Sequence, residues 1–464
     1  MGNVAMLLKK LGHDLAGSDA GVYPPMSVEL EKAGVVVFEG FQEDNMLSWK
    51  PQRIVVGNAV SRGNPQVEHI LKNRELPFVS LAQLIGEDLI GSRPSVVVAG
   101  THGKTTTTSL TAFALEKLGL SPGYLVGGVP LDLPSGNAVG NGHSPFVIEG
   151  DEYDSAFFDK RSKFIHYRPR ILVLNNLEFD HGDIFRDLAD ISRSFSHLLK
   201  IVPSDGFVLR NGDDPNLLAL PEAPWTNILS VGVGESNDFR INSFHEDMHG
   251  SRFELHWLGR RVLSVEWKMP GLFNARNLAM AVLSSVLVQA CIQDREMDLK
   301  NLFSHADLLD FSACLGVKRR QEMLLESDDF LVFSDFGHHP TAIEATLKSM
   351  RARWPRRKTI ACFEPRSNTA VTNVFQNRFA DALGNSDLVL LGAVHRAEKI
   401  PENKRIDPLA MIKRIEASGG RGFVFSKNSI LADFLESEVK DSNPILIVFF
   451  SNGSFDGVMS RVAQ

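Results

Sequence analysis

The chain has 464 residues, room for about three domains at roughly 150 residues each. A net charge of −7 and a pI of about 6.1 argue against a general nucleic-acid binder, and 43% hydrophobic with 23% charged residues is ordinary for a globular protein. Cys291, Cys314 and Cys362 lie far apart with no Cys-x-x-Cys pair, which speaks against a disulfide framework and against a zinc site and fits a reducing cytoplasm.

The N-terminus has neither a secretory nor a lipidation pattern, and no apolar run approaches the ~20 residues of a membrane span. A cytoplasmic protein with no membrane partner is expected. Short β-branched runs alternate with helix-length segments, the pattern of parallel sheets built from βαβ units. Helical spacing covers Met1–Leu11 and Met26–Ala33, with strands at Val35–Phe38 and Ile54–Val56. A Gly/Pro seam at 91–94 closes a first domain, 1–91. Strands at Ser95–Ala99, Phe146–Glu149, Ile171–Leu174 and Phe207–Leu209 build a second, 92–314. Within it, alternation over 239–265 predicts an inserted antiparallel meander, and Asn277–Ala290 a helix. From a seam at Leu315-Gly316 to residue 464, five more apolar runs predict a third, doubly wound domain. Its basic run, Arg351 to Lys358, reads as a solvated helix end.

The strand Ser95–Ala99 runs into Gly100-Thr101-His102-Gly103-Lys104-Thr105-Thr106, and a helix opens at Thr105. Helix N-terminal N–H groups concentrate positive potential where phosphate oxygens can sit. Gly100 and Gly103 allow close approach, Lys104 adds a point charge, and the Thr105 hydroxyl can ligate Mg²⁺. The usual first glycine of such a loop is replaced by Val98. Nucleotide binding is the expectation, with ATP as the ligand.

Carboxylates follow two buried strands, in Glu149-Gly-Asp-Glu-Tyr-Asp and in Asn175-Asn-Leu-Glu-Phe-Asp180-His181. Ligands of parallel sheets collect beyond the strand C-termini, so both runs should face the phosphate loop. Hard oxygens with one imidazole suit Mg²⁺, and Glu149 and His181 are the favoured ligands, against surface acidity or helix capping as the plain alternative. Asp335-Phe-Gly-His338-His339-Pro also follows a strand. Asp335 is expected near the nucleotide and one histidine near the reacting groups, with a capping role as the competing reading.

Together these segments, with Asn274 and Asn277, Gly316-Val-Lys-Arg-Arg-Gln-Glu and Glu364-Pro-Arg-Ser-Asn-Thr, resemble the Mur ligases of bacterial cell-wall synthesis, in that family's order and over nearly the whole chain. The resemblance implies three α/β domains: a Rossmann-like UDP-binding domain, a central phosphate-loop ATPase domain and a C-terminal Rossmann-like domain. It implies that Lys104 meets the γ-phosphate, that Thr105, Glu149 and His181 hold Mg²⁺, that Asn277 lies by adenine, and that Arg320 and Asp335 close over the nucleotide. The implied reaction transfers a phosphoryl group from ATP to the lactyl carboxylate of UDP-N-acetylmuramate. The acyl phosphate is then attacked by the amine of the murein tripeptide L-alanyl-γ-D-glutamyl-meso-diaminopimelate. L-Alanine alone as the amine, or a non-hydrolysing nucleotide-binding protein on the same fold, are the alternatives.

His338 or His339 would take the ammonium proton. Gly2, Ser18 and Asp19 would contact the UDP-sugar, and Arg366 and Asn368 the peptide. The family also has a strand and a Gly-rich loop ahead of the equivalent of Gly2. The expectation is that this segment is missing from the chain as given, with an altered start or an impaired UDP site as alternatives. Phe273 stands where relatives often have histidine.

Overall fold

The computed structural model describes residues 1–24, 26–293, 299, 301–439 and 444–463. Its centre is a ten-stranded sheet in which Ser95–Ala99 lies between Ile171–Leu174 and Phe146–Gly150, parallel to both. Every residue of that strand is buried. Val96 and Val98 face one core while Val97 and Ala99 face another, which explains a continuous apolar run instead of alternation.

On the Val96 side, the helices Lys104–Lys117 and Leu272–Ile292 pack against each other. The first is rich in threonine, a mediocre helix former. Its Thr107, Thr108 and Thr111 are wholly buried; the Thr111 hydroxyl donates to the Thr107 carbonyl at 2.7 Å and the Thr107 hydroxyl accepts Asn175 Nδ2 at 3.0 Å, while the Thr108 hydroxyl has no hydrogen-bond partner among the described residues. The second is apolar on all faces because it is surrounded on all faces. Its length, 21 residues, and mean hydropathy of 1.5 meet the requirement for crossing a membrane, so the expectation that no run comes near that length was too strict. Burial of 72% of its most apolar window identifies it as a core helix.

The meander appears as three antiparallel strands, Phe239–Asp247, Gly250–Trp257 and Arg260–Trp267, and it extends the edge of the central sheet. The C-terminal part has six strands, in the spatial order Glu322–Glu326, Phe330–Asp335, Ile445–Phe450, Lys358–Phe363, Leu388–Leu391, Gly422–Val424. Only the first pairing is antiparallel. The first ninety residues form two separate parallel pairs, Ala16–Asp19 with Val36–Glu39 and Ile54–Val56 with Phe78–Ser80, and not one continuous sheet.

Two contacts explain how the second and third parts meet. Asp132 accepts the Leu315 and Gly316 N–H groups at 2.9 and 2.8 Å, clamping the connection. Arg353, expected in solvent, is buried over Trp354 and donates to the Lys268 carbonyl at 3.0 Å. The basic run is thus partly an interdomain contact, since a guanidinium can satisfy a backbone carbonyl that a neighbouring domain would otherwise bury.

Candidate active site

A cavity of about 980 Å³ lies where the C-terminal ends of the central strands meet those of the C-terminal sheet. The phosphate loop forms its floor. Gly100 and Gly103 have φ of +135° and +79°, and a Cβ on Gly103 would stand 2.5 Å from Asn277 Oδ1. Both glycines are required by backbone conformation and close approach. No side chain caps the helix that follows, leaving its first N–H groups for an anion.

Lys104 Nζ donates to the Gly100 carbonyl at 2.7 Å and to both oxygens of Glu152 at 3.1 and 3.2 Å. Burial pushes the Lys104 pKa down, but Glu152, Asp151 and Glu149 outweigh it and the net direction is upward. His181 Nε2 lies 2.8 Å from the same Glu152. Burial again opposes, yet that bond raises the imidazole above its ordinary value. His181 sits at φ +54°, a strained conformation for a non-glycine residue at the rim of a cavity. Glu152 is therefore the central carboxylate that sequence reasoning passed over in favour of Glu149. The signal was present, since Glu152 belongs to the acidic run after the strand.

Glu149 accepts the Thr105 hydroxyl at 3.0 Å and the Gly127 N–H at 2.5 Å. Burial raises its pKa against the pull of the Gly127 N–H, Lys104 and Arg320. Thr105 and Glu149 form an oxygen pair beside the phosphate loop that fits Mg²⁺. His181 is joined by hydrogen bonding to Glu152 and not to that pair.

From the C-terminal part, the Arg320 guanidinium lies 4.4 Å over the Phe336 ring and reaches Thr105 Oγ1 at 3.3 Å. Asp335 accepts the Gln321 N–H at 3.0 Å and the Gly337 N–H at 2.6 Å. Burial raises its pKa against the pull of Arg320. Gln321 Oε1 accepts Asn274 Nδ2 at 3.1 Å, and Asn274 Oδ1 accepts Asn277 Nδ2 at 3.2 Å. A chain of amides thus ties Asp335 to the residue expected at adenine.

The paired histidines differ. His338 Nδ1–H donates to the Phe336 carbonyl at 3.0 Å, which leaves Nε2 as an acceptor, 3.8 Å from Asp180. Burial holds its pKa below the ordinary value, which favours the neutral ring. His339 is almost fully buried and caps the helix Pro340–Arg353, its Nδ1 accepting the Thr341 N–H at 3.4 Å. Of the two, His338 has the free acceptor, and the capping alternative applies to His339.

His102, the remaining side chain of the loop, is held well below its ordinary pKa by burial and by the charges of His339, His338, Lys104 and Arg320. Arg366 and Asn368 line the cavity, Arg366 beside buried Glu364 and Asn368 donating to Asp183 at 2.9 Å. Gly2, Ser18 and Asp19 are not among its lining residues. Ser18 accepts Gln66 Nε2 at 2.9 Å and Asp19 accepts the Gly21 N–H at 3.2 Å, outside this cavity.

Family models match in the same order: the Mur ligase family catalytic domain over residues 1–90, the Mur ligase middle domain over 98–285, and the Mur ligase glutamate ligase domain over 319–449. An Escherichia coli K12 protein named UDP-N-acetylmuramate–L-alanyl-γ-D-glutamyl-meso-2,6-diaminoheptandioate ligase is 37% identical over all of this chain and 95% of its own length. The chain belongs to the Mur ligase family. A Haemophilus influenzae protein of the same name is 35% identical, again over the full chain and 96% of its length. The crystal structure of a murein peptide ligase from Psychrobacter arcticus matches with a TM-score of 0.67 at 33% identity, covering 100% of this chain and 95% of that one. A UDP-N-acetylmuramate–alanine ligase from Thermotoga maritima superposes with a TM-score of 0.73 at 22% identity, covering 99% of this chain and 95% of that one, which speaks for the fold alone. As a Mur ligase the chain is an ATP-dependent, amide-forming enzyme with three α/β domains.

Proposed function

We propose that this Mur ligase joins UDP-N-acetylmuramate to L-alanyl-γ-D-glutamyl-meso-diaminopimelate in cytoplasmic cell-wall recycling. The observation that carries the reading is full-length similarity, at 37% and 35% identity, to two proteins named for that reaction. We also take the domain seams at 91/92 and 314/315, supported by the turn at Gly91 (φ +57°) and the Asp132 clamp on Leu315 and Gly316.

The lactyl carboxylate of UDP-N-acetylmuramate is a poor electrophile. One of its oxygens attacks the γ-phosphorus of ATP, ADP departs, and the acyl phosphate has a good leaving group. The tripeptide amine then attacks the carbonyl carbon and phosphate leaves. Lys104 and Arg320 balance charge on the transferring phosphoryl group, and His338 Nε2 accepts the ammonium proton. Thr105 and Glu149 would hold Mg²⁺, which neutralises the β- and γ-phosphates when bound. Gly2, Ser18 and Asp19 remain assigned to the UDP-sugar. Arg366 and Asn368, on the cavity wall, are assigned to the peptide.

Phosphate release is measured with ATP, Mg²⁺, UDP-N-acetylmuramate and either amine. Turnover with the tripeptide and little with L-alanine is expected, and it should drop by about 10²-fold or more in Lys104→Ala. Turnover with L-alanine alone would reassign the substrate. An unchanged Lys104→Ala enzyme would remove the catalytic assignment.

A further inference from the structure

Glu178 stands between two imidazoles from different parts of the chain. Its Oε1 is 3.8 Å from His102 Nε2 and its Oε2 is 3.8 Å from His339 Nδ1. One donor atom from each residue can be chosen so that all three lie within 4.8 Å of one another. His102 Nε2 is buried and has no hydrogen-bond partner, which a protein interior tolerates poorly. The other ring is already aimed: His339 Nε2–H donates to the Phe179 carbonyl at 3.2 Å, and its Nδ1 has only the long 3.4 Å contact with Thr341. A second ring nitrogen hydrogen-bonded to a backbone carbonyl is the usual support of a metal-binding histidine. Thr101 fixes Glu178 from both sides, accepting its N–H at 2.8 Å and donating to its carbonyl at 3.1 Å.

We propose that His102, Glu178 and His339 form a zinc-class cation site, separate from the Thr105–Glu149 pair, that bridges the phosphate loop and the C-terminal domain. Two imidazoles and one carboxylate suit zinc, whereas Mg²⁺ prefers oxygen ligands. Bonds of about 2.0–2.1 Å to a tetrahedral ion need the donors roughly 3.4 Å apart, so the three donor atoms, now within 4.8 Å of one another, draw together by up to about 1.4 Å on binding. All three residues line the cavity, so the fourth position is open to water or a ligand oxygen. Because the ligands come from two domains, the ion stabilises their apposition by mass action.

The test uses the full chain, stripped with a chelator and held in excess Mg²⁺ to fill the nucleotide-side oxygen site. Co²⁺ is titrated, followed by visible absorption, and then displaced by Zn²⁺. One equivalent should bind with the intense absorption of low-coordinate cobalt. His102→Asn, Glu178→Gln and His339→Asn should each weaken binding at least about tenfold, and Glu149→Gln should leave it unchanged. If buried His339→Asn does not fold, judged by circular dichroism, the loop variant His102→Asn decides. No binding to the wild type, equal binding in His102→Asn and Glu178→Gln, or loss in Glu149→Gln alone would each overturn the site. The readout is ion binding and not turnover, so failure here leaves the ligase assignment intact.

Discussion

Replacing Gly103 by alanine tests the phosphate loop at its tightest point. The new methyl group would lie 2.5 Å from Asn277 Oδ1 and 3.0 Å from Asn175 Nδ2, at a residue held at φ +79°. Left-handed backbone costs an L-residue about 1–2 kcal/mol. Relieving the contact displaces Asn277, and losing its buried bond to Asn274 adds about 1 kcal/mol. The total of about 2–3 kcal/mol corresponds to a roughly 30- to 150-fold change. It should be read as lost nucleotide affinity if the loop relaxes, or as lost stability if the loop keeps its shape. Calorimetric ADP titration and a urea midpoint on the same sample capture both. Gly119→Ala is the control: φ is +74° there, with nothing within 4 Å of the added carbon. It should lose the backbone share of stability alone and keep its nucleotide affinity. A Gly103→Ala enzyme no worse than this control in either measurement would refute the close-approach argument.

Glu152→Gln removes the one carboxylate shared by Lys104 and His181. Breaking a buried pair costs about 3–5 kcal/mol, and Asp151 and Glu149 remain as partial substitutes, so a loss near the lower figure is expected in urea unfolding. An unchanged midpoint would mean that Lys104 is held otherwise. His181 has a folded pKa raised above its unfolded value, so its bond to Glu152 stabilises fully below about pH 6.5 and is lost as pH rises through the folded value. The unfolding midpoint should therefore decline as pH rises above about 6.5, and His181→Asn should flatten that decline. Arg320→Ala should lower kcat by about 10²-fold with little change in KM for ATP, because its charge acts on the transferring phosphoryl group. A change confined to KM would assign it to ground-state binding.

The strands were legible where both faces are buried. Ser95–Ala99, apolar after its first residue, and the wholly apolar Ile171–Leu174 and Leu388–Leu391 have the same limits in the structure. Strands with other compositions escaped notice. Ala16–Asp19 is short and half exposed, and Asn227–Gly232 carries polar residues because it is only partly covered. The phosphate loop was readable because its chemistry is local: two glycines, a lysine and a threonine within seven residues. Glu152 was not singled out because its role depends on Lys104 and His181, 48 and 29 residues away, meeting at one point. Arg353 misled for the same reason, since a basic helix end looks solvated until the domain that covers it is in place.

Contacts across the cavity also join the central and C-terminal domains. The strip 178–183 receives a cluster of bonds from the C-terminal domain. Glu178 accepts the Thr341 hydroxyl at 2.7 Å, Asp180 accepts that of Thr369 at 2.9 Å, and Asp183 accepts Asn368 Nδ2 at 2.9 Å. At about 1 kcal/mol net for each bond, these three contribute a few kcal/mol, the scale of a reversible domain contact. Phe179 is packed against both a central and a C-terminal core cluster, pinning one to the other with a single ring that lies 5.9 Å from Phe375. A closed state of that strength excludes water from an acyl phosphate while it lasts. A contact of that strength also permits reopening for release of ADP and product, which a continuous hydrophobic seam between the domains would oppose.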